Sequence, residues 1–171
     1  ADYAMYYNDQ AGFGVMIPAA WTLGASGNAV VATDGDTGAS ETLMMTNNTS
    51  YFDSVTATDM AKILNTGQSG FMMNSYDNSK ETATAKCTYI IDNVQYQETV
   101  YGYATGKAMY FVTFDYEAGT VSDEMIELCG NSFRTFGQTS ENTSDTEEPQ
   151  SDTASSSADT NVQNEQETSG K

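Results

Sequence analysis

The spacing of apolar positions changes along the chain, and each change marks an element. Residues 6–21, YYNDQAGFGVMIPAAW, read as a short strand, a turn at Asn8-Asp9-Gln10-Ala11-Gly12, a second strand over 13–17 and a stop at Pro18. Trp21, the single tryptophan, lies just past that stop, where it is expected to fold back on the sheet. The rest of the globular part is expected to build on this hairpin. Residues 22–28 read as loop, 29–33 as a short strand, Asp34-Gly35-Asp36-Thr37-Gly38 as a turn, and 42–46 as a strand ended by Asn47-Asn48. The period then becomes helical. Met60, Ile63 and Leu64, with Ala57 and Ala61 nearby, share one face, and Thr56 or Thr58 serves as N-cap with Asp59 in the first turn. Gly67 and Gly70 weaken any continuation towards Phe71-Met72-Met73, which leaves one helix of four turns or fewer, or two short pieces.

Residues 80–117 carry the strongest strand signal. Runs over 81–91, 94–104 and 107–116 are separated by Asp92-Asn93 and Thr105-Gly106, both two-residue turn sequences. With two-residue turns, Ile91 faces Val94, Tyr89 faces Tyr96, Cys87 faces Glu98 and Ala85 faces Val100. On the second hairpin, Gly102 faces Met109, Val100 faces Phe111 and Tyr101 stands opposite Tyr110. Alternation sorts the meander into two faces. One carries Ala83, Ala85, Cys87, Tyr89, Ile91, Val94, Tyr96, Val100, Met109 and Phe111, and reads as core. The other is polar towards the first run (Thr84, Lys86, Thr88) and aromatic towards the last (Tyr101, Tyr103, Tyr110, Phe114, Tyr116). Residues 121–136 read as a closing helix started by Ser122, Asp123 and Glu124, with Val121, Met125, Leu128, Cys129 and Phe136 on one stripe.

Composition divides the chain. From Gln138 to Lys171 there is no aromatic, and Val162 is the one strongly apolar side chain. Eight acids stand there against Lys171, giving −7 of the chain's net −18, and thirteen residues are Ser or Thr. Such a segment buries too little apolar surface to offset its ordering entropy, so 138–171 is expected to be a disordered acidic tail behind a globular domain at 1–137. The acidic surface repels phosphate backbones and anionic lipid, which argues against nucleic-acid binding. No apolar run is long enough to span a bilayer, so no direct membrane insertion of this segment is expected. The sequence opens at Ala1-Asp2 without methionine or signal peptide, and the expectation is an exported protein whose signal has been removed.

Candidate chemistry is sparse. There is no histidine, which removes the usual general base and the commonest metal ligand. No Gly-x-Ser-x-Gly elbow or phosphate loop occurs. Asp34-x-Asp36-x-Gly38 has part of a calcium-loop pattern but lacks the third acid and a correctly placed glutamate, so a plain turn is expected. Cys87 and Cys129 are the only cysteines. Both are expected to point towards the sheet, as one disulfide tying helix to meander or as two buried thiols. Glu98 on the apolar face is a candidate acid–base group, with Asp115 a possible second carboxylate; the plainer reading is an acid that reaches water at a strand end. Tyr101, Tyr103, Tyr110 and Tyr116 form a candidate recognition patch. The alternative is that the helix around Met60 covers that face and makes the rings ordinary core.

The order of elements resembles the PsbP-like family. The residues that carry the resemblance are Tyr6, Asn8, Gly12, Phe13, Val15, Ile17, Pro18 and Trp21, then a mid-chain helix, a meander and an ending at Ser132-Phe133-Arg134. The resemblance covers about residues 6–136 and implies an α+β fold, an antiparallel sheet with helices on both faces. It also implies a protein-binding role with no shared catalytic residues. The absence of histidine departs from the photosynthetic members and puts a metal-retaining role in doubt. The tail is outside the family pattern and suggests a spacer in a bacterial surface or secreted protein, including lipoproteins. The expectation is therefore a non-enzymatic extracytoplasmic domain that binds a protein or peptide partner and needs no metal or cofactor. The alternatives are a hydrolase-type enzyme using Glu98 and Asp115, or a purely structural spacer.

Overall fold

The computed structural model describes residues 2–136; the expected tail at 138–171 lies outside the described residues. The fold is α+β, mostly antiparallel sheet with two helices. The strands are β1 (Tyr3–Asn8), β2 (Phe13–Pro18), β3 (Thr22–Ser26), β4 (Ala29–Thr33), β5 (Ser40–Thr46), β6 (Met72–Asn78), β7 (Thr82–Ile91), β8 (Val94–Ala104), β9 (Met109–Glu117) and β10 (Arg134–Thr135). The helices are α1 (Ala57–Leu64) and α2 (Asp123–Gly130), with a 3-10 turn at Phe52–Ser54. Seven strands form one antiparallel sheet in the order β3-β4-β5-β9-β8-β7-β6, and β1-β2-β10 form a second. The chain clusters into two compact units, one built on Met16–Phe133 and the other on Met5–Val15 with the segment from Arg134.

The opening hairpin forms as read. Gly12 N–H bonds the Asn8 carbonyl at 2.8 Å, the Asn8 side chain accepts from Ala11 N–H at 2.9 Å, and β2 ends at Pro18. The large sheet is not built on it, however. The other neighbour of β2 is β10, paired as Arg134↔Gly14 and Thr135↔Phe13. Trp21 is only half-buried.

The meander is where alternation is strongest, and its first register is the expected one: Ile91↔Val94, Tyr89↔Tyr96, Cys87↔Glu98 and Ala85↔Val100. Asp92 and Asn93 both hold positive φ, 51° and 65°, as a two-residue turn of the primed type requires. The second register is shifted by two residues from the expected one. Thr105 N–H bonds the Ala108 carbonyl at 3.1 Å, so Gly106-Lys107, not Thr105-Gly106, is the turn centre. Ala104 then pairs with Met109, Gly102 with Phe111, and Tyr103 rather than Tyr101 stands opposite Tyr110. Gly106 has φ +86°, a conformation glycine takes at no steric cost, and this places the turn. A two-residue shift leaves every side chain on its expected face.

Three strands escaped the sequence reading, one of them β10, read as the end of the closing helix. β3, read as loop, is exposed at every residue and so offers no apolar alternation. β6, read as a weak helical continuation, is an edge strand with a bulge between Met73 and Ser75.

The two helices cover opposite faces of the large sheet. α1 starts in a capping box in which Thr56 Oγ1 accepts from Asp59 N–H, and Asp59 accepts from Thr56 N–H. Its Met60, with Phe52, buries against Ala83, Ala85, Val100, Ala104, Met109 and Phe111. α2 is capped by Ser122, whose hydroxyl accepts from Met125 N–H, but it stops at Gly130 rather than running to Phe136. Asn131 ends it, its backbone and side-chain N–H both donating to the Glu127 carbonyl. The stripe read for a longer helix is therefore displaced: Ile126, Cys129 and Gly130 are buried while Leu128 is exposed. α2 lies on the face that carries Tyr101 and Tyr103, the face away from α1.

Candidate functional site

The tyrosine patch is core. Tyr101, Tyr110 and Tyr116 are buried and Tyr103 is half-buried. The cover is α2 and the residues after it, not the helix around Met60. The Tyr101 ring lies so close to Gly130 that a Cβ there would enter it. The Tyr103 hydroxyl donates to the Gly130 carbonyl, and the Phe133 ring stacks on Tyr103 and Tyr110 with centroids 4.6 and 4.8 Å away. Tyr116 and Thr99 share a buried hydrogen bond of 3.1 Å. Burial pushes the Tyr101 and Tyr103 hydroxyls up to about 12, so they stay neutral hydrogen-bonding groups. A recognition surface made of these four rings is thus not available in this conformation.

The cysteines are both buried and free. Cys87 is on the α1 face, opposite Glu98, whereas Cys129 is under α2 on the other face. The sheet itself separates them, so the candidate Cys87–Cys129 disulfide does not form. Desolvation first, then nearby carboxylates, pushes both thiols up to about 12, which is the opposite of an activated nucleophile.

Glu98 does carry chemistry of a kind the sequence pointed to. It pairs across β8 and β9 with Asp115, and the two carboxyls hydrogen-bond each other. Tyr89, two pairs along on the same face, donates its hydroxyl to Asp115 Oδ1 at 2.9 Å. Burial, then the neighbouring carboxylate, pushes Glu98 well above the usual range, and burial raises Asp115 as well. Glu98 is therefore the proton carrier and Asp115 the acceptor of two donors. Glu98 Oε1 is buried and has no partner among the described residues.

A second buried acid was missed. Glu41 is 2% exposed, sits on the α2 face between Ala32 and Phe114, and neither of its oxygens has a hydrogen-bond partner among the described residues. Desolvation alone pushes it up to about 8, so its carboxyl is largely neutral at pH 7. The signal was present in the sequence: Glu41 shares parity with the buried Leu43, but the strand was read as starting at Thr42.

The Asp34–Gly38 segment is a closed turn. Asp34 Oδ1 accepts from Asp36 N–H at 3.0 Å and Oδ2 from the Thr37 hydroxyl at 2.8 Å, so the carboxylate is engaged inside its own loop. No group of three or more Cys, Asp or Glu among the described residues has metal-binding geometry.

Four of the exposed large apolar side chains lie at the turn end of the β7–β8 hairpin, Ile91 and Val94 on the α1 face and Ile90 and Met72 on the other; Tyr7, Leu23, Met44, Met45, Ile63 and Leu128 are exposed elsewhere. Ile90, Ile91 and Val94 flank the Asp92-Asn93 turn, and all three are exposed. Met72, 61% exposed on the edge strand β6, pairs with Thr88 of β7 and lies on the same face as Ile90. Below the tip Tyr89 and Tyr96 stack at 5.7 Å, which stiffens the hairpin that presents these side chains.

No protein-family model matches the chain, and no curated protein matches its sequence. Among solved structures, one from Bacteroides thetaiotaomicron aligns with TM-score 0.56 at 13% identity, over 78% of this chain and 48% of the other. This chain thus spans about half the length of that protein. A Pseudomonas aeruginosa protein of unknown function aligns with TM-score 0.38 at 11% identity, over 74% of this chain and 88% of the other. The first likeness supports a β-rich fold. Among the described residues, no helix is long and apolar enough to cross a membrane.

Proposed function

We propose that this chain is a non-catalytic, PsbP-like binding domain of a secreted or surface-anchored bacterial protein, and that it meets a protein or peptide partner through the end of the β7–β8 hairpin. The observation that carries the reading is the exposure at the turn end of the β7–β8 hairpin of Ile91 and Val94 on one face and, on the other, of Ile90 beside Met72 of the edge strand β6. Burying such side chains against a partner gains roughly 25 cal/mol per Å² of apolar surface removed from water. Placement of α1 and α2 on opposite faces supports the PsbP-like layout, as do the hairpin residues from Tyr6 to Trp21. The acidic balance of the chain favours a partner with basic groups around an apolar centre.

The test is a photo-crosslinking residue placed at Ile91 or Val94, with Gly35 in an exposed turn as the control position. In the native setting, one discrete adduct from the hairpin positions and none from Gly35 is the expected result. Equal or absent adducts at all three positions contradict the reading.

A carboxylate hydrolase has one observation in its favour, the hydrogen-bonded Glu98–Asp115 pair. Burial of Glu98 and the Tyr89 bond to Asp115 weigh against substrate access to that pair. A hydrolytic activity that disappears in Glu98→Gln while the fold is retained would favour this second reading.

A further inference from the structure

Glu41 stands out among the buried groups because nothing compensates it. Its neighbours across the sheet are Ala32 on β4 and Phe114 on β9. The remaining titratable groups on this face of β8 and β9 are Tyr101, Tyr103, Tyr110 and Tyr116, all acids that stay neutral. The cation on the same cross-strand row is Lys86, reached through Phe114 and Thr99. Three strand spacings separate it from Glu41, about 14 Å, and Lys86 is exposed. From above, α2 brings Cys129, which senses Glu41 electrostatically, together with Asp123, Glu124 and Glu127. Cys129 lies next to the helix C-terminus, the negative end of the helix dipole, and no basic residue occupies the last turn. A charged Glu41 therefore meets only apolar, neutral or negative surroundings. It sits beneath α2 more stably with its proton on than without it.

We propose that α2 is a proton-latched cover: loss of the Glu41 proton as pH rises through neutrality lifts α2 from the sheet and bares Tyr101, Tyr103 and Cys129. α2 has eight residues, held by the buried Ile126 and Cys129, the hydrogen bond from Tyr103 and the packing of Gly130 on Tyr101. Just beyond it, Phe133 stacks on Tyr103 and Tyr110 and the Ser132 hydroxyl accepts from Met16 N–H, so lifting has to loosen these contacts as well. In the lifted state Glu41 reaches water and ionises as an ordinary carboxylate. Lifting is thus linked to the release of one proton, and its equilibrium constant rises about tenfold per pH unit between the two titration ranges. The result is a tyrosine surface displayed in neutral to alkaline surroundings and hidden in acidic ones. This inference is independent of what the β7–β8 hairpin binds.

Thiol labelling of the native protein between pH 5.5 and 9 tests it, with Cys129 and Cys87 quantified separately by peptide mass spectrometry. Each rate is divided by that of the same cysteine in urea-unfolded protein at the same pH, which removes the ionisation of the thiol. The expected result is a normalised Cys129 rate that rises about tenfold per pH unit to pH 7.5 and levels off above about pH 8. Cys87, on the other face, is expected to stay slow throughout. In Glu41→Gln, or in Glu41→Leu should that variant fold better, the Cys129 rate is expected to be independent of pH. A flat wild-type profile overturns the proposal. So does a Cys87 rate that climbs with Cys129, because opening is then global. An unchanged pH profile in either folded variant overturns it as well. Should neither variant fold, the paired wild-type profiles of Cys129 and Cys87 decide.

Discussion

Cys87 and Cys129 are both buried, on opposite faces of the same sheet. Their side chains leave opposite surfaces, and a sulfur–sulfur bond would require Cα atoms within about 7 Å and Cβ vectors that converge. Both thiols are therefore expected to react with a thiol reagent in denaturant without prior reduction, two per chain. Two are expected whether the protein is prepared under air or under reductant. A preparation that yields none until reduced contradicts the placement of α2.

The contact between Gly130 and Tyr101 carries a stability prediction. A Cβ at residue 130 must displace the Tyr101 ring, so Gly130→Ala is expected to destabilise by roughly 1–3 kcal/mol, the range for overpacking a close contact. Tyr103→Phe removes one hydrogen bond to the Gly130 carbonyl and leaves the ring in place, at a cost of about 1 kcal/mol. Urea unfolding of both variants checks the order. A neutral Gly130→Ala would mean that α2 does not pack on Tyr101.

The two carboxyls of the Glu98–Asp115 pair are not equivalent. Asp115 accepts from both Glu98 and Tyr89, so Asp115→Leu leaves two buried donors without an acceptor and is expected to cost ~1–3 kcal/mol. Glu98→Gln keeps a donor facing Asp115 and is expected to cost less. The same denaturant measurement, made at pH 6, distinguishes them, and the reverse order would remove the assignment of the proton to Glu98.

The pH dependence of stability has a definite sign. In the unfolded chain Glu41 ionises near its ordinary value of 4.5, whereas in the fold it keeps its proton until about pH 8. Between these values the folded state binds more protons than the unfolded one, so its stability falls as pH rises and flattens above about 8. The raised Glu98 acts in the same direction. The Glu41 contribution is on the order of 1.4 kcal/mol per pH unit at most. Urea midpoints from pH 5 to 9 are expected to decline for the wild type and to decline less steeply for Glu41→Gln. A wild-type midpoint that rises over this interval contradicts neutral burial of the acid.

Much of this was legible in the residues, for reasons that differ by element. Strict alternation from Thr82 to Glu117 assigned every meander side chain to its face, and Asp92-Asn93 fixed the first register. The second register slipped because Thr105, Gly106 and Lys107 all suit a turn, and only the Thr105–Ala108 bond selects among the possible centres. Periodicity told that Cys87 and Cys129 both point inward. It cannot tell on which side of a sheet a helix lands, and there the disulfide and the tyrosine surface were lost. β3 was illegible because a fully exposed edge strand buries nothing. Glu41 was legible in principle, as an acid on the buried parity of a strand whose start was placed two residues late.

Hydroxyl-radical footprinting read by mass spectrometry at pH 6 tests most directly whether α2 closes the aromatic face and the β7–β8 end stays open. Met72 and Ile91 are expected to oxidise at rates near those of the unfolded chain, while Tyr101, Tyr110, Tyr116, Met60 and Met109 are protected by an order of magnitude or more. Oxidation of Tyr101 and Tyr110 as fast as Met72 would contradict the account.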